Sequence, residues 1–561
     1  MSKYTLHPDT DHGVPKKEVI RQFFYFLNVI RKNNIFELGS VADVKADART
    51  IKRFGSLESG GLANTARRHP ERLGLVDDDG ELTYYEFYDR VVRLATGLMQ
   101  NGVRDGGNLA VLALNGRASI FPLCARQFVG YHIFMINANS SGPQIERVLE
   151  FHEVETLIVD QTFYDRLTDK TKENCTVIIG HIDDPGMLPA DALTMDQVIE
   201  SGSTDLDLLP EKPTRSQHVV MTSGTTGMPK GVVRRQLKSP QGIGPVLGTV
   251  PWRRGMSVLL TGVLFHFYGW GNMLLCIFTG STIVTQRNFD SSKALEQFEK
   301  YDINAWISSA SRLREMIAHL DRNAIDRVDG LEFITSSGSP LTSYEVEKVN
   351  EKFGKVFHNC YGSTETSGLA ISDADELAAD PTLTGTIHPG SVIEIRDDDG
   401  TLLPDGEIGE IFAGAYDMFV GYTDPSIEIK TNNNLLRMGD RGYRRGNRLY
   451  VKGRADDLVI TQYGEKIFPS EIEDLLVRDE RIDDVHVHGV SDPHYGQALR
   501  AYVIREDGVT ANELDDVEVR RIVTAGLSDA HAPRDVFFVA DFPRNPMGKV
   551  IRPELPGQST V

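Results

Sequence analysis

A run of hydroxyl-bearing and glycine residues occupies positions 222–231, directly after a short apolar stretch. Its members are Thr222, Ser223, Gly224, Thr225, Thr226, Gly227, Met228, Pro229, Lys230 and Gly231. Glycines allow backbone N–H groups to approach phosphate oxygens, hydroxyls add donors, and the lysine adds positive charge. The Walker A spacing is absent, and a surface loop of small residues is the alternative interpretation. Ten such residues in succession favour a phosphate-binding loop.

Four further segments combine groups that suit a nucleotide and a metal ion. They are residues 357–365, which end in Tyr361, Gly362, Ser363, Thr364 and Glu365; residues 438–440, which end in Asp440; residues 453–457 together with 469–473; and residues 543–549, which end in Lys549. Each has an ordinary explanation when taken alone: a glutamate that starts a helix, a core tyrosine, a Gly-Asp turn, a solvated linker or an exposed tail lysine. Their occurrence in one chain favours a shared function.

Together these segments resemble, in order and spacing, the signature motifs of the adenylate-forming superfamily, which includes acyl-CoA synthetases, nonribosomal adenylation domains and beetle luciferases. The resemblance covers roughly residues 60–555 and is closest to bacterial acyl-CoA synthetases. It implies an enzyme that uses ATP and Mg²⁺ to activate a carboxylic acid as its acyl-adenylate and then transfers the acyl group to a thiol.

The resemblance also implies which residues bind the nucleotide and its phosphates. They are Thr222, Ser223, Gly224, Thr225, Thr226, Gly227, Lys230, Gly338, Ser339, Pro340, Tyr361, Gly362, Ser363, Thr364, Asp440 and Arg454. Tyr361 is expected to stack on adenine, and Asp440 to bind the ribose hydroxyls. Glu365 is expected to be catalytic as the Mg²⁺ ligand, a role that suits a carboxylate.

Four other positions receive roles from the same resemblance. Lys549 is expected to be the catalytic cation, and Asp456 the hinge about which a small domain turns. His266, which follows Phe265 in an apolar run, is expected to border the acyl pocket as a third catalytic residue, although a lone histidine in such a run is often a core residue. Gly464 is assigned to the thiol tunnel.

Adenylation is an in-line displacement at the α-phosphorus, so the protein must supply cations and alignment rather than a general base. Coenzyme A is the expected acceptor, because no carrier-protein domain is seen after the small domain and the loop at 222–231 ends in Pro-Lys-Gly, as in acyl-CoA synthetases. The aromatic residues near His266 favour a medium- or long-chain fatty acid, with an aryl acid as the alternative. A ligase that loads a carrier protein is a second alternative, and a noncatalytic nucleotide or acyl binder is a third.

Composition excludes several other classes of protein. The net charge of −20 argues against broad binding to nucleic acid. Four scattered cysteines form no Cys-x-x-Cys pair, which fits a reducing cytoplasm and indicates neither a zinc site nor a disulfide framework. The N-terminus lacks the layout of a signal peptide, and the aromatic cluster at 23–27 is too short to span a bilayer, although it leaves a peripheral membrane contact open.

The elements that must position these groups alternate between helix and strand from about residue 80, which predicts an α/β fold with largely parallel, layered sheets. Thr83 and Glu86 form a capping box for a helix that ends at 101–102, and Ser470 and Glu473 form a second one. A charged segment follows residue 453. We therefore predict a large adenylation domain over 1–453 and a small mobile α+β domain over 454–561 that carries the catalytic lysine.

Overall fold

The computed structural model describes residues 15–33, 35, 40–55, 58–189, 191–222, 230–234, 240–460, 466–492, 496–544 and 550–557. In chain order, the α-helices of these residues are α1 Lys16–Lys32, α2 Val41–Phe54, α3 Glu58–Arg68, α4 Tyr84–Gln100, α5 Arg117–Val129, α6 Gly142–Phe151, α7 Gln161–Tyr164, α8 Asp169–Asn174, α9 Met195–Ser201, α10 Gly244–Thr249, α11 Phe267–Thr279, α12 Ser291–Lys300, α13 Ala310–Arg322, α14 Ser343–Phe353, α15 Ala374–Ala379, α16 Pro469–Leu476 and α17 Asp516–Gly526.

The strands of the same residues are β1 Leu73–Asp77, β2 Gly80–Thr83, β3 Asn108–Leu112, β4 His132–Met135, β5 Thr156–Val159, β6 Thr176–Ile179, β7 Leu193–Thr194, β8 His218–Thr222, β9 Lys230–Arg234, β10 Ser257–Leu260, β11 Thr282–Val284, β12 Ala305–Ser308, β13 Phe333–Ser337, β14 Phe357–Ser363, β15 Ser367–Ile371, β16 Gly385–Ile387, β17 Ser391–Arg396, β18 Gly409–Ala415, β19 Phe419–Tyr422, β20 Thr431–Asn432, β21 Leu435–Arg445, β22 Arg448–Arg454, β23 Val459–Ile460, β24 Lys466–Ile467, β25 Ile482–Asp492, β26 Gly496–Arg505 and β27 Asp535–Phe538.

Two large mixed sheets build the first part of the chain. One has the order β19-β9-β8-β4-β3-β5-β6-β7, and its strands from β8 to β7 are parallel. The other runs β17-β18-β21-β22-β16-β15-β14-β13-β12-β10-β11-β1-β2. Its parallel centre, from β14 to β1, is flanked by antiparallel strands. The predicted layered α/β fold is confirmed.

The parallel strands are apolar on both faces because helices cover both sides of the sheets. Strands β3 and β5 are buried along most of their length, and helix α5 beside them is buried almost throughout. The predicted capping box of α4 is confirmed: Thr83 accepts a hydrogen bond from the N–H of Glu86, and the Glu86 carboxylate accepts from the N–H of Thr83. Asn101 ends the helix, as predicted.

Residues 255–286, which include no Asp, Glu, Lys or Arg, fold as β10, α11 and β11 and are mostly buried. No helix among the described residues is both long and apolar enough to cross a bilayer. In the aromatic cluster near the N-terminus, Phe26 is buried, whereas Phe24 is 64% exposed. Helix α1 therefore packs through one face only.

A small α+β unit follows Asp457 and has a hydrophobic core of its own, built from α16, α17 and the sheet β25-β26-β27. We refer to it as the small domain. The predicted fold class, a large α/β domain followed by a small α+β domain, is confirmed. The exact division between residues 453 and 454 stays a prediction. A short 3₁₀ helix, Ala455–Asp457, connects the last strand of the large part to the small domain.

The second predicted capping box is wrong. Helix α16 begins at Pro469, and its N-cap residue, Phe468, forms no side-chain cap. The hydroxyl of Ser470 donates instead to the carbonyl of Lys452, at 2.7 Å. The carboxylate of Glu473 accepts from the N–H of Val487, also at 2.7 Å. Both side chains are used for tertiary contacts, because proline can start a helix without a cap of this kind.

The small domain contacts the large part mainly through polar side chains. The carboxylate of Asp474 in α16 accepts from the hydroxyl of Ser343 and from the backbone N–H of Tyr344, at 2.8 and 3.1 Å. It thus caps the N-terminus of α14 from the opposite side of the interface. Arg478 pairs with Glu347 of α14 at 3.0 Å.

Candidate active site

Strands β14, β21 and β22 bring together three of the residues predicted to bind the nucleotide. The hydroxyl of Tyr361 donates to one carboxylate oxygen of Asp440 at 2.7 Å. Arg454 lies opposite Asp440 in the ladder between β21 and β22, and its guanidinium donates to the other oxygen at 3.0 Å. Burial and the neighbouring carboxylate raise the pKa of Tyr361 well above its usual value, so the phenol stays protonated.

Glu365 lies in the turn between β14 and β15, where the chain brings two other elements close to it. The hydroxyl of Tyr422, the last residue of β19, donates to its carboxylate at 2.9 Å. The Lys230 ammonium lies 5.6 Å from the centre of the Tyr422 ring. Glu365 and Lys230, which belong to two different predicted motifs, therefore both contact the side chain of Tyr422. Burial and Glu365 raise the pKa of Tyr422, so that it remains a donor.

The phosphate-loop segment is described only at its two ends. Thr222 ends β8 and Lys230 starts β9, and the two residues are partners in the antiparallel ladder. Their positions fix where the intervening loop leaves and rejoins the sheet. Of the residues predicted to bind phosphate or to act in catalysis, Ser223, Gly224, Thr225, Thr226, Gly227, Gly464 and Lys549 lie outside the described residues.

Gly338 follows β13 and lines the same cavity as Tyr361 and Thr222. Its φ of +91° is one that glycine adopts at low cost. Ser339 and Pro340 do not line this cavity. The carbonyl of Pro340 accepts a hydrogen bond from Arg314 at 3.3 Å, so this residue contacts α13 instead.

A cavity of about 940 Å³ connects several of these groups. At one end it is lined by Thr222, Lys230, Tyr361, Gly362, Ser363, Thr364 and Glu365. From there it extends along α11, past His266, Phe267, Tyr268 and Trp270, toward the end of α2. The residues that line the cavity do not include Asp440, Arg454 or Asp456. Asp440 is nevertheless hydrogen-bonded to Tyr361, which does line it.

His266 is the N-cap residue of α11, and its side chain lines the middle of the cavity. Its Nε2 atom is buried and has no hydrogen-bond partner among the described residues. Burial lowers the pKa of His266 to about 4, so the imidazole is neutral at physiological pH. It can therefore donate or accept a hydrogen bond, but it does not bring a positive charge to the acid.

Sequence reasoning missed three residues of this site: Arg234, Asp417 and Tyr422. Arg234 is buried on β9 and donates to the carbonyls of Thr364 and Asp417, at 2.6 and 2.7 Å. Burial lowers its pKa to about 10, which still leaves it charged. Arg234 thereby ties the strand after the phosphate loop to the segment that carries Glu365. Only the charge within an apolar strand, at 230–234, could have drawn attention to it.

Two family models match the chain. The model for AMP-binding enzymes matches residues 62–423, and the model for the C-terminal domain of AMP-binding enzymes matches residues 471–549. Among the curated relatives, the indoleacetate–CoA ligase of Aromatoleum aromaticum is 27% identical over 90% of this chain and 96% of its own length. The 2-succinylbenzoate–CoA ligase of a Geobacillus species is 27% identical over 87% of this chain and 94% of its own.

A third relative, from Rhodococcus jostii, is named as the CoA ligase of a methyl-dioxo-octahydroindenyl propanoyl group and is 27% identical over 88% of this chain and 96% of its own length. Among solved structures, the o-succinylbenzoate CoA synthetase of Bacillus subtilis with its acyl-adenylate has a TM-score of 0.74 at 23% identity, over 89% of this chain and 98% of that one.

These matches confirm the predicted superfamily and the predicted enzyme class, an AMP-forming acid–thiol ligase. The predicted ATP, Mg²⁺ and coenzyme A are the cosubstrates and metal ion of such ligases, and one structural neighbour contains ATP and magnesium. Because the first family model alone covers more than half of the 561 residues, the chain belongs to the AMP-binding enzyme family.

Proposed function

We propose that this enzyme activates a ring-bearing carboxylic acid, aromatic or polycyclic, as its acyl-adenylate and transfers the acyl group to coenzyme A. The observation that carries the proposal is the continuous cavity that joins the predicted phosphate and metal residues to a chamber walled by Phe267, Tyr268 and Trp270. Flat aromatic walls suit a ring better than a flexible chain, because a ring loses little conformational freedom when it binds.

The relatives support the same choice of substrate. Their names specify indoleacetate, 2-succinylbenzoate and a bicyclic propanoyl group, each of which contains a ring. A structural neighbour at a TM-score of 0.77 is an anthranilate CoA ligase with anthranoyl-AMP. The fatty acid that the sequence led us to expect first has no support among these proteins, and the aryl alternative fits them better.

We assign the nucleotide to the cavity end near β14. Tyr361, held by Asp440, would present its ring to adenine, while Asp440 and Arg454 would meet the ribose. The residues at this end also suit Mg²⁺. Glu365 offers a carboxylate, and no group of three or more His, Cys, Asp or Glu side chains is clustered for a metal among the described residues. Magnesium characteristically takes one or two carboxylates, the substrate phosphates and water, so Glu365 is sufficient.

In the first half-reaction, an oxygen of the substrate carboxylate attacks the α-phosphorus of ATP, and the bond to pyrophosphate breaks. Thr222 and Lys230 would hold the phosphates in line for this displacement. Magnesium, when bound with ATP, neutralises charge on the phosphates. We propose that Lys549 provides a further cation at the reacting phosphate. The neutral His266 would orient the carboxylate through its unpartnered Nε2 without reducing its negative charge.

In the second half-reaction, the thiolate of coenzyme A attacks the acyl carbonyl carbon, and the bond to AMP breaks. The loop that carries Lys549 must leave before the thiol can enter. We propose that the small domain turns about Asp456 for this purpose, and that Gly464 then lines the path of the thiol. Such a domain step can limit turnover independently of the chemistry.

The test is pyrophosphate release with Mg-ATP across indole-3-acetate, 2-succinylbenzoate, benzoate, decanoate and palmitate, each with and without coenzyme A. We expect at least one ring-bearing acid to exceed both fatty acids by about tenfold or more in kcat/KM. Acyl-CoA should accumulate only when coenzyme A is present. A Glu365→Gln protein purified in parallel is the blank for contaminating activity.

Two outcomes would contradict different parts of the proposal. Preference for decanoate or palmitate would reject the ring-bearing substrate. Adenylate formation that coenzyme A does not convert into a thioester would reject coenzyme A as the acceptor and favour a carrier protein.

A further inference from the structure

The far end of the cavity contains a polar cluster that the adenylation chemistry does not use. The buried carboxylate of Glu58 in α3 accepts a hydrogen bond from Arg126 of α5 at 2.7 Å. It also accepts one from the indole N–H of Trp270 at 3.1 Å. These two bonds fix the Trp270 ring in the wall of the cavity.

His218, the first residue of β8, packs against that ring with 4.4 Å between the ring centres. Its side chain is 3% exposed, and the residue lines the cavity. Neither ring nitrogen has a hydrogen-bond partner among the described residues. A buried polar group without a partner costs about 1–3 kcal/mol. The strand residues that follow, Val219 to Met221, are apolar, so β8 itself does not require a histidine here.

The position of His218 within the cavity follows from two regular elements. Side chains alternate across a strand, so His218 lies on the same face of β8 as Thr222, which lines the cavity near the phosphate loop. Trp270, on which His218 packs, lies one helical turn beyond His266, about 6 Å along α11. With the carboxylate held by His266, as proposed above, the part of the acid beside Trp270 and His218 lies roughly 6 Å farther along α11.

We propose that His218 is a specificity-determining residue: its imidazole forms a hydrogen bond with an oxygen, hydroxyl or carbonyl, at the far end of the substrate ring. This inference rests on the proposed function and narrows the substrate class to ring-bearing acids with such an oxygen. Trp270, held by Glu58, orients the imidazole through its ring. Burial lowers the pKa of His218 well below its ordinary value, so the ring is neutral and offers one donor and one acceptor.

The test compares two nonhydrolysable acyl-sulfamoyl adenosines, made from 3-(4-hydroxyphenyl)propanoate and 3-(4-methylphenyl)propanoate. A methyl and a hydroxyl group are similar in size, so the ratio of the two dissociation constants, measured by calorimetry, isolates the hydrogen bond. We expect the wild-type protein to bind the hydroxylated analogue about tenfold more tightly. His218→Phe, which keeps the packing on Trp270, should reduce this ratio to about one.

Two further variants separate hydrogen bonding from structure. His218→Gln keeps a donor and an acceptor and should retain part of the preference. His152→Phe is the matched control, because His152 is also buried and stacked on an aromatic ring, Phe134, but does not line the cavity. It should leave the ratio unchanged.

A wild-type ratio of one, or a ratio that His218→Phe does not change, would show that His218 forms no hydrogen bond with the substrate oxygen and would overturn this inference. Coenzyme A-dependent turnover of ring-bearing acids would still support the proposed function in that case. If neither analogue binds, the specificity role of His218 is rejected, and the acid panel described above decides the proposed function separately.

Discussion

Glu365 and Tyr422 are 57 positions apart in the sequence, yet one hydrogen bond joins them. The bond engages one of the two carboxylate oxygens of Glu365, and Glu365 lines the cavity. A carboxylate fixed in this way can bind a metal ion without a further loss of side-chain conformational entropy on binding. At the scale of single residues, therefore, the tyrosine is a positioning residue for the predicted metal ligand.

Replacing each partner should have effects of different size. Glu365→Gln keeps the shape but removes the charge, and we expect acid-dependent pyrophosphate release to fall by about 10²–10³-fold. Tyr422→Phe removes only the hydrogen bond to a charged group and should cost about tenfold. Titration with Mg²⁺ should show a higher requirement for both variants. Equal activity of Glu365→Gln and the wild type would reject the metal role.

Three histidines, His152, His266 and His488, share a pKa lowered to about 4 by burial. An unfolded histidine titrates near 6.5. As the pH falls below 6.5, the unfolded chain gains protons that the folded protein does not accept until about pH 4. The contribution of these histidines to the free energy of unfolding is therefore fully present above pH 6.5. It is lost progressively as the pH falls from 6.5 to about 4.

His152→Phe should reduce this acid sensitivity, because phenylalanine can keep the stacking on Phe134 without a titratable group. Between pH 7.5 and pH 5, we expect the variant to lose about 2 kcal/mol less of its free energy of unfolding than the wild type loses. Urea unfolding at the two pH values measures the difference. Identical losses would show that His152 is not one of the residues that link the stability of this protein to pH.

At the scale of elements, helix α11 forms one wall of the cavity and contains two glycines with opposite surroundings. A Cβ atom on Gly269 would lie 2.3 Å from the carbonyl oxygen of Val263, which is too close. A Cβ atom on Gly271, which lines the cavity, would meet nothing within 4 Å. The first glycine is required by packing, and the second leaves space that a substrate can use.

Alanine substitutions at the two glycines should therefore change the free energy of unfolding in opposite directions. Gly271→Ala should raise the free energy of unfolding by about 0.5–1 kcal/mol, because alanine favours the helix. Gly269→Ala should lower it by about 1–3 kcal/mol through overpacking. Gly271→Phe should fill the cavity and exclude bicyclic acids while benzoate still reacts. Thermal unfolding and pyrophosphate release test these expectations; equal effects of the two alanines would contradict them.

The two predicted capping boxes show how far local sequence determines an element. In the Thr83 box, the hydroxyl and the Glu86 carboxylate both bond to the end of their own helix. Ser470 and Glu473 have the same spacing, but β22 and β25 offer them other partners. A pattern of two residues does not contain that information, since the competing groups are supplied by distant strands.

The site was predictable to the same extent. The motifs around Thr222, Tyr361 and Asp440 are continuous in sequence and could be identified through their resemblance to a family. Arg234 and Tyr422 belong to two strands that pair only in the folded sheet, β9 and β19, so neither could be assigned to the site from local pattern. His218 looked like any other residue of an apolar strand until its neighbours were known.

At the scale of the whole molecule, the connection between the large part and the small domain is short. It consists of the 3₁₀ helix Ala455–Asp457, in which Asp456 is the middle residue. Asp457 is tied to Arg552 of the small domain at 2.6 Å. Rotation about this connection would therefore be concentrated in very few backbone angles, which is characteristic of a hinge.

Asp456→Pro fixes one of these angles and should impair thioester formation while leaving acid-dependent ATP–pyrophosphate exchange largely intact. The reason is that adenylation needs one arrangement of the domains, whereas the full reaction needs two. Asp456→Ala removes the carboxylate but keeps backbone freedom, and it serves as the control. Equal loss of both half-reactions in Asp456→Pro, or no loss in either, would contradict a hinge at this position.

The pairs that hold the small domain against helix α14 and the neighbouring strands lie near solvent. Arg478 and Glu347 are 37% and 49% exposed, and Lys466 and Asp398, 3.2 Å apart, are 48% and 65% exposed. At physiological ionic strength, charges in water are screened within about 8 Å. Added salt therefore weakens these exposed ion pairs between the small domain and the large part far more than it weakens the interactions of the buried Arg234. For the proposed rotation of the small domain, ionic strength is therefore a means of shifting the equilibrium between two arrangements without changing a residue.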